Sequence, residues 1–541
     1  MEPSFLSIKR VLLVDDCAPV RASIKGMLQQ IGFKLIYQAK DAIEAQTHCE
    51  QNNFDFILCD FNLGDCQDGY QLFETLKTKS LLHSMCCFII VSAENQRQIV
   101  HGVIELQPDD YLLKPFTFPQ LKERMIKALK QKMALRKVYQ ATQELELKEA
   151  IKECDSVIRN NPDFQAAAER LKGELFLRQK EFVKAEVFYK NLLTKQYTTW
   201  ADLGVAISVY HQDRSAEAMD IFNALASKDE TMVESMDFIA QQYFKTGDLQ
   251  HSLEVLQKLT QLSPKNIPRQ KTLANIAMIC HDYGLAAKVF HRIVSIARHS
   301  IHDSAQNYLN HARCIIDNAH SHAPMERANA LSHVSKLLDS LVKRFNPEPI
   351  AFDLQILQVR LLAVKGKNAD AKRLLLKYQT LENQDYHPET CLDAAKAFFE
   401  TGDIFGCYHF VELLRKQLQK SDFLTDSQRL LLNTEQIRFE TLYNTIQTLI
   451  KEATAAYQDK LYGRAVALFA ECFEQMPTNP GVAFSLLQAI IKCEGVPEGT
   501  LNIAKNAFLL LNSAELGAKS MEKLQATKMA LSEKAPEIIA V

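Results

Sequence analysis

The chain has 541 residues, with 63 Lys and Arg against 65 Asp and Glu and a formal net charge of −2. That balance gives no basic excess for nucleic acid and no acidic tail to hold cations. Hydrophobic residues make up 47% of the chain, enough for packed cores, while 17 Gly, 16 Pro and one Trp over this length favour helices.

At roughly 100–200 residues per domain, the length allows about three to five domains, or one domain plus a long array. The 13 cysteines include no C-x-x-C pair, so they read as reduced, mostly buried thiols. The opening "MEPSFLSIKRVLLVDD" has no apolar run of signal-peptide length. No window approaches the roughly 18 uncharged apolar residues of a membrane span. The expectation is a soluble, cytoplasmic protein.

The first part of the chain alternates strand and helix. "RVLLVDD" (10–16) is a strand ending in two aspartates, and "PVRASIKGMLQQIG" (19–32) has helical spacing that stops at Gly32. "KLIYQA" (34–39) is a strand, and "DAIEAQTHCEQNN" (41–53) is an amphipathic helix with Asp41 as N-cap. The run 54–59 is a strand, 68–78 a helix, 86–93 a strand, 95–106 a helix, 109–115 a strand and 118–131 a helix. Five apolar strands with helical crossovers predict a doubly wound parallel sheet covered on both faces.

Functional residues of such sheets gather at the carboxyl ends of the strands. Strand one ends at Asp15 and Asp16, strand three at Asp60, strand four at Ser92 and strand five at Lys114, before Pro115. Asp60 alone could be a helix cap or a reactive group. Together these residues put three carboxylates, a hydroxyl and an ammonium on one rim. Carboxylates that close repel one another and need a compensating charge, which a hard cation such as Mg²⁺ supplies. Serine and lysine remain as donors to phosphoryl oxygens. The chemistry implied is phosphoryl transfer to a carboxylate, with Asp60 as nucleophile.

The segments "VDDCAPVR" (14–21), "LCDFN" (58–62), "VSAE" (91–94) and "YLLKPF" (111–116) closely resemble the receiver domain of two-component response regulators, the flavodoxin-like CheY fold. The resemblance implies Asp60 as phospho-acceptor. It implies Asp16 as a direct Mg²⁺ ligand, Asp15 as a water-mediated one, and the backbone carbonyl of Asn62 as a further contributor. Ser92 would donate to the phosphoryl oxygen, Lys114 would pair with it, and the Lys114–Pro115 peptide would be cis. Tyr111 would swing inward when Ser92 moves, although ordinary packing accounts for it equally well. One departure is visible: Gly64 stands where the family usually has Pro, and the loop "FNLGDCQDG" is one residue longer, with Asp65 and Asp68 adding charge beside the pocket.

Beyond residue 119 the pattern is almost unbroken helix. "LKERMIKALKQKMALRKVYQATQELE" (121–146) contains no Gly or Pro, which predicts one long connecting helix. Further on a frame recurs. In "IAQQYFKTGDLQHSLEVLQKLTQLSP" (239–264), Ala240, Tyr243, Gly247, Ser252, Leu256, Leu259 and Pro264 hold small, aromatic, turn and apolar positions that resemble a tetratricopeptide (TPR) repeat. Gly173, Ala185, Tyr189 and Leu192 repeat it, as do Ala274, Ala286, Phe290 and Ile293, and Ala453, Ala465, Phe469 and Cys472. Small residues let paired helices approach, and aromatics fill the gaps between pairs. Segments 300–345 and 418–450 fit poorly, as diverged repeats or longer helices. The expected organisation is a receiver at 1–132, a connecting helix at 133–160 and a TPR-like all-α solenoid at 161–541.

No helix-turn-helix with a basic patch, zinc spacing or Walker loop appears. His311, His320 and His322 lack a ligand spacing and read as a solvated loop. The leading expectation is a cytoplasmic, non-enzymatic response regulator. A sensor histidine kinase or phosphotransfer protein would phosphorylate Asp60, and the change would pass through Tyr111 and the connecting helix to a protein or peptide bound in the repeat groove. Self-association into a homodimer is a further option, and neither nucleic acid nor membrane is an expected partner. A second expectation, from the resemblance to VieB-like receiver–TPR proteins, is a scaffold or decoy that binds the kinase and slows phosphotransfer to another regulator. A third is a phosphatase or transferase, which would need a second catalytic set that the sequence does not offer.

Overall fold

The computed structural model describes the whole chain except residues 1–2, 65–66, 94–101, 103–104, 320–321, 377–385, 478, 494, 498, 514–517 and 540–541. Glu94, Asp65, His320 and most of the helix expected over 95–106 therefore lie outside the described residues. The chain divides into two compact units, residues 1–270 with 295–303, and residues 271–294 with 304–541.

The first unit opens with helix α1 (Pro3–Ser7), β1 (Arg10–Val14), α2 (Ala18–Ile31), β2 (Leu35–Ala39), α3 (Ala42–Gln51), β3 (Phe56–Asp60), α4 (Gly69–Thr78), β4 (Cys87–Ser92), β5 (Asp110–Leu113) and α5 (Phe118–Ala134). The five strands are parallel in the order β2-β1-β3-β4-β5. Alternation along the strands sorts the core onto two faces. Val11, Leu13, Phe56, Leu58, Ile89 and Val91 pack with Ile24, Leu28, Leu121 and Met125. Leu12, Val14, Ile57, Cys59, Phe88 and Ile90 pack on the other side with Ala45, Leu72 and Phe73. Both faces are covered, as parallel sheets require. The strand order reverses between β1 and β3, and a crevice opens outside the carboxyl ends at such a switch point.

Every described regular element beyond Phe118 is helical. The single connecting helix expected over 121–146 is not formed. The helix ends at Ala134, restarts at Arg136, ends again at Gln143, and reverses through Leu145 at φ 62° into Leu147–Asn160. The two short pieces form the first helical hairpin instead. Hydrophobic burial drives the break, because Leu135, Val138 and Ala141 pack against Ala150, Cys154 and Val157.

The reversal at Leu145 recurs. Residues with φ near +60 to +82° stand at Leu145, Lys180, Asp213, Gly247 and His281, spaced 35, 33, 34 and 34 residues apart. Gly366, Gly402 and Lys460 hold the same position in later hairpins. At each the helix ends with a six-to-one amide bond, as in Glu181 to Phe176 (3.0 Å), Asp248 to Tyr243 (2.9 Å) and Asp282 to Ala277 (2.8 Å). Small residues set the helix spacing. Tyr189 lies between Gly173 and Gly204, where an added Cβ would come within 2.4 and 2.3 Å of its ring. Segments 300–345 and 418–450 hold long helices, Pro324–Arg344 and the 36-residue Phe423–Gln458.

The second unit carries an ionic network that its sequence does not announce. Arg360, 1% exposed, pairs with Asp393 at 2.6 Å, Asp317 at 2.6 Å and Glu400 at 3.2 Å. Lys396 joins Asp317 at 3.0 Å to Glu435 at 3.2 Å, and Arg313 joins Asp353 at 2.5 Å. The network crosses four helices, and each cation is held where a lone charge would not survive burial. His311 is buried beneath His291 and His333, with ring centroids 5.3 and 6.0 Å away, and does not sit in a solvated loop.

Two outcomes follow from these features. Lys180→Gly keeps the left-handed turn but removes the Cβ whose strain costs an L-residue there about 1 kcal/mol, so denaturant unfolding should show a gain of that order; a loss would refute the turn's role. Burial, with His291 and His333 adding to it, depresses the His311 pKa to about 4, below the ~6.5 of an unfolded histidine. The unfolded state then binds more protons below pH 6.5, so the stability this neutral histidine contributes is present above that pH and lost as pH falls toward 4. The second unit should lose about 2 kcal/mol between pH 7 and 5, and His311→Gln should flatten that slope in thermal melts.

Candidate functional site

The rim residues converge where β1 and β3 lie side by side. Asp60 is the last residue of β3, 9% exposed, and Asp15 follows β1 at 1% exposed. Asp16 is exposed to solvent. One carboxylate oxygen from each of Asp15, Asp16 and Asp60 lies within 4.8 Å of the other two, the one such cluster of potential metal ligands among the described residues. Oxygen donors of this hardness, with one open to water, fit a divalent cation such as Mg²⁺.

Lys114 answers the charge. Its Nζ lies 2.9 Å from Asp15 Oδ2 and 2.9 Å from Asp60 Oδ2. β5 brings it there through Leu113, which pairs with Ser92, and through a Lys114 amide that donates to the Ser92 carbonyl at 2.7 Å. The Lys114–Pro115 peptide is cis. Burial raises the Asp60 pKa above the usual carboxylate range, against the opposing pull of Lys114 and of the Asn62 amide. Burial also acts to lower the Lys114 pKa, but its hydrogen bonds to Asp15 and Asp60 win and raise it.

Ser92 ends β4 at 1% exposed, one strand from Asp60. Tyr111 pairs with Ile90 two positions back from the rim, half-buried against the core on the α4 side. Asn62 is exposed in the loop after β3.

Arg21 and Gly69 escaped the sequence reading, whereas Gly64 did not. The Arg21 guanidinium donates to the Asp15 carbonyl at 2.5 Å, and the Asp15 carboxylate accepts the Cys17 amide at 2.9 Å, so the start of α2 fixes the acidic pair. Gly69 opens α4 directly against Asp60: a Cβ there would meet the Asp60 carbonyl oxygen at 2.3 Å. Gly64 takes φ +80°, which proline's fixed φ of about −65° forbids. Its Cβ position lies 3.7 Å from Asp16 Oδ2, an ordinary contact, so the positive φ and not crowding is what favours glycine beside the acidic pair.

Three clustered carboxylates sharing one lysine should gain stability from a divalent cation. Mg²⁺ should stabilise the domain by about 2.7 kcal/mol once the free ion reaches roughly 100 times its dissociation constant, seen as a raised melting temperature. Asp16→Asn should remove most of that shift, and an undiminished shift would place the ion elsewhere.

Residues 11–126 match the response regulator receiver domain family. Chemotaxis protein CheY-3 of Vibrio cholerae is 28% identical over 118 residues, 22% of this chain and 89% of that protein. Chemotaxis protein CheY of Pseudomonas aeruginosa is 30% identical over 118 residues, again 22% of this chain, and 94% of its own length is covered. Among solved structures, a CheY-like response regulator receiver domain protein from Methanospirillum hungatei is 27% identical. The match covers 24% of this chain and 98% of that one, with a TM-score of 0.22. The sheet order, the acidic pocket and the span of these matches agree: through its N-terminal domain, the chain belongs to the CheY-like response regulator receivers.

Proposed function

We propose that the protein is a response regulator whose Asp60 accepts a phosphoryl group from a sensor histidine kinase or phosphotransfer protein, and whose output is protein–protein interaction. The observation that carries this reading is the Lys114 ammonium held 2.9 Å from the Asp60 carboxylate within the Asp15–Asp16 cluster. An Asp60 oxygen attacks the phosphorus of a phosphohistidine donor. The P–N bond breaks, its electron pair stays on the imidazole, and that ring then takes a proton from water. Lys114 and the Ser92 hydroxyl neutralise and orient the transferred oxygens. Asp15, Asp16 and the Asn62 carbonyl would hold Mg²⁺, which when bound would offset the charge of the carboxylates and the phosphoryl group. Tyr111 responds to movement of Ser92.

The helical remainder is best read as a TPR-like array. Its left-handed turns recur at intervals of 33 to 35 residues between Leu145 and His281, close to the TPR period of about 34, and its aromatics fill gaps left by glycines, as Tyr189 does. We place the receiver at 1–132 and the array beyond it, with the first hairpin, turning at Leu145, occupying the stretch 133–160 expected as a connection and the later hairpins following over 161–541. The near-neutral composition supports an output without DNA binding, with a protein or peptide partner and self-association as the routes open to it. No helix among the described residues is long and apolar enough to cross a membrane, in keeping with a cytoplasmic regulator.

Incubation with a phosphorylated histidine kinase domain and Mg²⁺ should label the wild type and not Asp60→Ala. Lys114→Ala should label about 100-fold more slowly. No label on the wild type from any donor would end this reading. Labelling with unchanged partner binding would instead favour a kinase-sequestering scaffold, and steady turnover of an external phosphoester would favour an enzyme.

A further inference from the structure

Helix α4 follows the phospho-acceptor loop, and its outward face is not left to water. Within the first unit it is covered by two stretches of the helical region, residues 263–269 and 296–302. Lys265 forms an ion pair with Asp68, the residue that caps α4. The Lys265 ammonium also sits over the rings of Phe61, 4.6 Å away, and Tyr70, 5.2 Å away. One turn along, Gln71 donates to the Ile296 carbonyl at 3.0 Å, and Glu74 lies 2.9 Å from His302 Nε2. Glu105, on the neighbouring receiver segment, accepts from Arg269 at 2.5 Å and from the Ser263 hydroxyl. Arg269 is 6% exposed and shares its charge with Asp237 at 2.5 Å, so a receiver carboxylate completes a buried ion pair of the helical region.

Charge complementarity runs across the contact, with Asp68 and Glu105 facing Lys265 and Arg269, while Glu74 and His302 share a hydrogen bond. The contact also reaches the pocket. Phe61 follows Asp60 in the chain, and Asp68 caps the helix whose Gly69 abuts the Asp60 carbonyl. Lys265 is thus the cation that the helical region places on the loop carrying the acceptor.

We propose that this contact is a latch that reads the charge of Asp60, with the chain's own 263–269 and 296–302 segments as the partner of the α4 face. The inference rests on Asp60 being the acceptor. With Mg²⁺ bound before and after transfer, an acyl phosphate leaves the pocket with about one more negative charge than the carboxylate it replaces. Placed beside the Phe61–Asp68 loop, that charge strengthens the hold on Lys265 and closes the latch further. Coupling of this kind is reciprocal in binding free energy, so an intact latch also favours the phosphorylated form.

Hydrogen exchange of the full chain, with Mg²⁺ and beryllium fluoride as the acyl-phosphate mimic, tests the latch. Acetyl phosphate labelling is followed in parallel by intact mass. Exchange in 263–269 and 296–302 should slow about fivefold or more when the mimic binds, relative to the chain with Mg²⁺ alone. Lys265→Gln should lose that response while still taking label, and Lys265→Arg should keep it. Asp60→Asn should show neither label nor response. Label on the wild type without slower exchange in these segments overturns the latch alone. Absence of label overturns the Asp60 reading and the latch with it.

Discussion

The Lys114 ammonium is the group on which the receiver's rim depends. Asp15 and Asp60 end adjacent strands, and backbone register alone forces their carboxylates together. Without a cation between them, one would have to stay protonated or the strands would have to part. A lysine at the end of β5 supplies the charge from within the fold. Asp16 then remains exposed beside a pocket that still has more carboxylates than cations. The same imbalance that makes the site costly makes it receptive to a hard cation.

A second constraint governs the helical region, where each hairpin must reverse within three residues and bury one face against its neighbours. A left-handed residue at the reversal achieves the first, and glycine or alanine opposite an aromatic achieves the second. In the second unit buried ion pairs add a third device. Arg360, Arg313 and Lys396 each bridge acids from different helices, which ties the order of those helices to charge pairing as well as to apolar packing.

Much of the receiver was legible in the sequence. Each strand lies within two residues of its expected start, because continuous apolar runs bounded by polar residues leave little choice in a parallel sheet. Asp15, Asp16, Asp60, Ser92 and Lys114 were legible as strand-end residues, and the structure brings them to one rim. Arg21 and Gly69 were not, since a backbone carbonyl partner and a close backbone approach leave no periodic trace. The break at Leu135 escaped because no Gly or Pro marks it; tertiary packing of Val138 and Ala141 overrides a sequence of good helix formers. The array's period was only partly visible, because Leu145, Lys180, Asp213 and His281 occupy turns where glycine would have announced itself. The cover on α4 depends on contacts nearly 200 residues apart or more, such as Asp68 with Lys265, which no local pattern encodes.

One carboxylate, Asp60, is placed by β3, approached by Gly69 and paired with Lys114. The most direct measurement is mass-spectrometric mapping of the full chain after brief exposure to acetyl phosphate and Mg²⁺. The account predicts a single acid-stable, base-labile phosphoryl adduct on the peptide containing Asp60, absent when Asp60 is replaced by Asn. A phosphoryl group mapped to any other residue, or an adduct that persists in the Asp60→Asn variant, would contradict it.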